Sequence, residues 1–176
     1  MKKIIIFATV FVLLTALKVN AGFTDIIEDT NIYSGSYDAI RVFDSANLDF
    51  YGDSVGLLDF RDTSTGSFHG GTAEQIDVAT SAVVHLWGGQ IYSMYSYNIV
   101  HLYGQGITIE PSGTGTYDRY IHGLWGDGTP FDFVAYRAVL FNSQFVIHEI
   151  PEPSTISLLL FGILGVKKLR RQKKSA

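Results

Sequence analysis

Between Gly22 and Ile150 the apolar residues fall in short alternating runs broken by glycine, aspartate and serine, and no stretch repeats at helical spacing. Alternation with a period of two is what strands with one buried face require. The body is therefore predicted to be all-β. A repeat runs through it. Leu48-Asp49-Phe50-Tyr51-Gly52 is followed by Gly66-Ser67-Phe68-His69-Gly70, Val84-His85-Leu86-Trp87-Gly88 and Val100-His101-Leu102-Tyr103-Gly104. The closing glycines Gly52, Gly70 and Gly88 are evenly spaced, and the last step, to Gly104, is slightly shorter. Phe50, Phe68, Leu86 and Leu102 form one column, and Leu48, Gly66, Val84 and Val100 a second. The two share a face and should point inward. A second, weaker strand lies between the glycines: Leu57 to Phe60, Ile76 to Val78, Ile91 to Tyr95 and Ile107 to Ile109. A unit this small, two short strands and two turns, cannot bury its own apolar face. Stacked copies can, which predicts a short β-solenoid or β-helix-like body; a β-sandwich of similar hairpins is the alternative. The closing glycines suit corners with tight bends or positive φ.

Residues 22–39 read as a lead-in, with Phe23, Ile26 and Ile27 as a first turn or cap, and 40–150 as the repetitive β domain. After Glu110 the pattern loosens into a loop. Leu124-Trp125-Gly126 echoes the closing motif, and Phe131 to Val134, Val139 to Phe141 and Phe145 to Ile147 read as final strands capping an otherwise sticky edge.

Both ends of the chain have a different pattern. Met1-Lys2-Lys3 followed by the apolar run Ile4 to Leu17 and Lys18-Val19-Asn20-Ala21 reads as a helical signal peptide over 1–21, cleaved by signal peptidase between Ala21 and Gly22. Residues 151–176 begin with Pro151-Glu152-Pro153, which cannot lie inside a helix. Ser154 or Thr155 can cap an apolar transmembrane helix over 155–166, and a basic end over 167–174 follows, with Lys167, Lys168, Arg170 and Arg171 as a stop at the cytoplasmic membrane face. The apolar run is about half of the roughly 20 residues of a full membrane span.

The order Pro-Glu-Pro, apolar run, basic cluster resembles the PEP-CTERM sorting signal. In that family the tail is read by an exosortase, a membrane transpeptidase that cuts near the Pro-Glu-Pro and passes the protein to the cell surface. The resemblance implies that Pro151, Glu152 and Pro153 are the recognition element. It also implies that the membrane anchor is transient, that the product is at the cell surface or extracellular, and that exopolysaccharide and biofilm assembly are its setting. Gly126-Asp127-Gly128-Thr129-Pro130-Phe131 is similar to the end segment of other short members with repetitive β bodies.

Charge sharpens this picture. The whole chain carries −4, but the signal and tail segments hold nine of the 13 lysines and arginines. The body keeps four arginines against sixteen acidic residues, or 4 − 16 = −12, with no lysine. Such a body repels nucleic acid and anionic membranes. With no cysteine there is no disulfide, thiol catalysis or haem attachment, so packing and backbone ladders must supply the stability.

Candidate chemistry is sparse. His85 and His101 occupy the same column and His69 another; a stacked pair has no identifiable third ligand, so no metal or other cofactor is expected. Asp44, Asp49, Asp53, Asp59 and Asp62 cluster without the spacing of a calcium loop. No nucleophile motif, phosphate loop or zinc-protease motif is present, so no catalytic residue is assigned and the chain is expected not to be an enzyme. The position before each closing glycine forms an outward aromatic column, Tyr51, His69, Trp87 and Tyr103, of which Tyr51, Trp87 and Tyr103 suit two roles, sugar-ring stacking or a structural stack between rungs. The reading is a structural or adhesive surface protein; the alternative is a polysaccharide- or ice-binding solenoid. Ice is disfavoured because no column forms a Thr-x-Thr ladder.

Overall fold

In a computed structural model, which describes residues 22–113, 118–136 and 145–151, the chain forms thirteen strands and, among those residues, no helix. The expected signal helix, the tail helix and the Val139–Phe141 strand lie outside the described residues.

One wall contains β1 (Phe23–Ile26), β3 (Ser36–Val42), β5 (Ser54–Phe60), β7 (Thr72–Val78), β9 (Gln90–Ser96) and β12 (Pro130–Tyr136), each parallel to the next. The second wall contains β2 (Thr30–Ile32), β4 (Asn47–Phe50), β6 (Thr65–Phe68), β8 (Val83–Leu86), β10 (Val100–Pro111) and β13 (Phe145–Glu149), again parallel. Each circuit lays one strand on each wall, giving a solenoid-like stack of about four regular turns, β3–β4 to β9–β10. Parallel pairing in both walls excludes hairpins there, and with them the sandwich alternative. At the C-terminal end β11 (Arg119–Trp125) runs antiparallel to both the far half of β10 and β12, bridging the walls.

The repeat sets the register. Leu58 lies beside Ile76 and Phe50 beside Phe68, each one full repeat along the chain. The step is shorter at Val84–Val100, where the Asn98 amide donates to the Ala82 carbonyl across the tightened turn. All residues of the two expected inward columns except Gly66 are apolar and buried. Gly66 is required by what faces it: a Cβ there would overlap the ring of Phe60, which lies where neighbouring rungs have Val42 and Val78. One large ring and one missing side chain keep the core filled to constant volume.

Several expectations change. Residues 22–39 are not a lead-in: they hold β1, β2 and the start of β3. Arg41 fastens β1 by pairing with Asp25 at 2.8 Å and lying 4.0 Å above the Phe23 ring. The closing glycines are not the positive-φ residues. That role falls one place later, to Gly71 (φ +78°) and Gly89 (φ +85°), whereas Gly88 is needed because a Cβ would press on the His69 carbonyl at 2.5 Å. Leu124-Trp125-Gly126 is not a rung closure. Trp125 is buried at the end of β11, stacked on Phe131 and donating its indole N–H to the Gly89 carbonyl at 2.7 Å, so it plugs the end of the core.

Three turns stack on one corner, each closed by an amide-to-carbonyl bond: Ala46 to Phe43, Ser64 to Arg61 and Ala82 to Ala79. Ala46, Ser64 and Ala82 are all buried, and the Ser64 hydroxyl has no hydrogen-bond partner among the described residues. Ser64→Ala should therefore raise stability by about 1 kcal/mol in chemical denaturation, since a buried unpaired hydroxyl costs more than it returns. Gly66→Val should lose about 1–3 kcal/mol through overpacking. Adding Phe60→Val, which copies the Val78 and Val84 types of the next coil, should recover most of that loss; two independent losses would show that the two positions do not share one space.

Candidate functional site

One outward column of the second wall carries a ring on every rung: Tyr33, Tyr51, His69, Trp87, Tyr103 and His148. The backbone sets them in line, with the Tyr51, His69 and Trp87 amides donating to the Ile32, Phe50 and Phe68 carbonyls at 2.7–2.9 Å. Successive centroids are 5.3, 4.2, 6.2, 3.5 and 4.3 Å apart, and every pair is stacked. Tyr51, Trp87 and Tyr103 thus share one ladder with His69 inserted between them. Their faces lie against neighbouring rings and their edges meet solvent. A sugar stacks on a free face, and the outer face of Tyr33, 70 % exposed, is the one the ladder leaves open at its N-terminal end.

The adjacent column brings histidines together. His85 and His101 stack at 4.5 Å, as their shared column requires, and the Tyr103 hydroxyl shares a 3.0 Å hydrogen bond with His85 Nδ1. His148 arrives from β13, with its Nε2 2.9 Å from His101 Nδ1. Burial, then the charge of the neighbouring imidazoles, pushes the pKa values of His85 and His101 down. His69 is separate, 3.8 Å from Asp49. Among the described residues no group of three His, Cys, Asp or Glu is placed to hold a metal ion.

The first wall carries a groove that the sequence reading missed. Its outward columns are Arg41–Asp59–Asp77–Tyr95 and, beyond the strand ends, Phe43–Arg61–Ala79–Tyr97. Ala79 is small between two long neighbours, which leaves an open-sided groove of about 740 Å³ lined by Asp59, Arg61, Gln75, Asp77, Tyr95 and Tyr97 together with the Thr80–Ser81 turn. Asp59 is nearly buried and held by Arg61 Nε at 2.7 Å. Asp77 accepts from the Gln75 amide at 2.8 Å. Burial pushes the Asp77 carboxyl pKa up, the Gln75 bond opposes this, and the Asp59 charge one rung away adds to it. Carboxylate, amide, guanidinium and hydroxyl groups beside two tyrosines are groups that bind a hydroxyl-rich ligand.

Three other aspartates of the first units hold turns, and one of them, Asp62, also lines the groove. Asp44 and Asp62 take left-handed φ of 55° and 52°, Asp62 accepts the Asp44 amide, and Asp53 accepts the Gly35 amide. Gly22 and Pro151 stand at the two ends of the described chain; Ala21, Glu152, Pro153, Lys167, Lys168, Arg170 and Arg171 lie outside the described residues.

Fold and ring ladder together define an all-β protein of solenoid-like stacked coils. Comparison with protein families, with characterised proteins and with solved structures returned no match.

The raised Asp77 pKa has a definite sign. The folded state binds that proton more tightly than the unfolded chain, so ionising Asp77 lowers stability above its folded pKa and has no effect below the ordinary aspartate range. Asp77→Asn should therefore raise Tm at neutral pH, with the gain disappearing near pH 3; a gain that is constant with pH would assign it to packing.

Proposed function

We propose that the chain is an exported, non-enzymatic protein of the cell surface or extracellular matrix. Residues 1–21 carry it out, an exosortase sorts it through residues 151–176, and the body serves a structural or adhesive role linked to exopolysaccharide or biofilm. The observation that carries this reading is the succession of Pro151-Glu152-Pro153, the apolar run and the basic cluster. The body supports it: a stack fixed by backbone pairing and a continuous ring ladder, free of cysteine and strongly negative, suits an element that must stay rigid and soluble outside the cell.

Expression with and without an exosortase, read by the intact mass of the product at the surface, tests the sorting. Loss of everything from near Pro153 onward, only with the enzyme and only with Pro151–Pro153 intact, is expected. A chain that stays whole in the membrane would leave the tail as a plain anchor.

The groove favours a second role for the same body, recognition of a neutral or amino sugar; its carboxylates outnumber its one guanidinium, which disfavours uronic acids. On immobilised neutral and amino-sugar oligosaccharides, Asp77→Ala and Tyr97→Ala should each weaken retention about tenfold or more, whereas Trp87→Ala should not. The reverse pattern would move the sugar to the ring ladder.

A further inference from the structure

β13 differs from every other strand of the second wall. Each of the others buries at least one residue, whereas β13 buries none, and Val146 and Ile147 are 36 % and 39 % exposed. Its apolar hold on the stack is the partly buried Phe145 packed against the core, less than any other rung of this wall supplies. It is held by parallel pairing along Val100–Gly104, by the Ile150 amide on the Gly104 carbonyl at 2.8 Å, and by the Gly106 amide donating to Glu149 at 3.3 Å. To these the His148 ring adds its stack on Tyr103, 4.3 Å between centroids, and its bond to His101.

We propose that the His101–His148 contact is an acid-sensitive latch that docks β13 on the stack when at least one of the two rings is neutral and releases it when both are protonated. A 2.9 Å bond between two imidazole nitrogens needs one N–H and one lone pair. When both rings carry a second proton, two N–H groups face each other and two positive charges meet across that distance. The titratable groups facing the pair are His85 on β8, stacked on His101 at 4.5 Å, Tyr103 on β10, and Glu149, which is directed at the Gly106 amide. His85 adds a third positive charge on acidification. The carboxylates on the other histidines, Asp49 and Glu110, are paired with His69 and His122. The downward pKa shifts of His85 and His101 give the sign: the folded state resists their protonation, so the arrangement loses stability as pH falls through and below the ordinary histidine value.

Pro151 follows β13 two residues after Glu149. Release would convert the whole strand into free chain, adding roughly 17 Å of reach at about 3.3 Å per residue.

Hydrogen exchange on the full-length chain at about pH 7.5 and about pH 5, corrected for the intrinsic pH dependence of exchange, tests the latch. Protection of the amides of residues 145–150 should fall at least about tenfold on acidification while β7 and β8 keep theirs, and His148→Phe, which retains the stack on Tyr103 but takes no proton, should abolish the fall. Unchanged protection in the wild type, a loss shared by all rungs, or a loss that persists in His148→Phe would overturn the proposal. Imidazole titration of the wild-type chain by NMR gives a reading independent of any variant: His85 and His101 titrating as ordinary exposed histidines would equally overturn it.

Discussion

Parallel, in-register backbone pairing is the constraint on which the rest of this structure depends. Every rung hands its amides and carbonyls to the next at about 4.8 Å, so each residue is fixed beside the one a coil earlier. Side chains are consequently selected as columns. An inward column must be apolar throughout, as Ile40, Leu58, Ile76 and Met94 are. An outward column must hold groups that tolerate close repetition: rings that stack, Thr65 donating to Asn47, or opposite charges such as Asp25 and Arg41. Asp59 beside Asp77 breaks that rule, and the breach is managed sideways, by Arg61 on one and Gln75 on the other. Breaches of a local rule that persist in a well-paired frame are where function is best sought.

The two walls divide the surface chemically. The second wall offers ring edges and imidazoles in a continuous ridge that couples all of its rungs. The first offers a recess, produced by one alanine in an otherwise bulky column. Under the proposed sugar-binding role, rigidity and recognition would fall on different faces, and a ligand in the groove need not disturb the ring stack.

Much of this was legible in the sequence, for reasons specific to each element. The Phe50, Phe68, Leu86, Leu102 column stood out because β4, β6, β8 and β10 alternate strictly over that stretch. The opposite wall was fainter because β5, β7 and β9 each turn two consecutive residues outward, as at Gly56–Leu57 and Glu74–Gln75, which breaks the period of two. The first rung escaped notice because Tyr33 is followed by serine instead of glycine. In addition, the step from β1 to β3 (Phe23 to Ala39) is shorter than the regular one from β3 to β5 (Ala39 to Leu57). His148 could not be placed beside His101, because the last rung follows a long excursion, from Val100 to Phe145, that no repeat announces. The groove required the pairing of the fainter wall: Asp59 and Asp77 stand one regular repeat apart, but their shared outward column beside the small Ala79 follows only from the register of β5 on β7 and of Ala79 on Phe60. The two sets of end residues, 1–21 and 152–176, were read from order and composition alone.

The excursion through β11 has a kinetic side. Most rungs close a loop of one repeat, as from Ser54 to Thr72. By contrast, β12 returns to β9 only from Ser93 to Val134, and β13 returns to β10 from Val100 to Phe145. Lengthening the closed loop about 2.5-fold adds about 0.8 kcal/mol of closure entropy, so the nearby coils zip first and the terminal coil arrives last. Until it does, β9 and β10 present unsatisfied parallel edges of the kind that recruit other chains. The segment that seals the stack is thus also the one that leaves it open longest during folding.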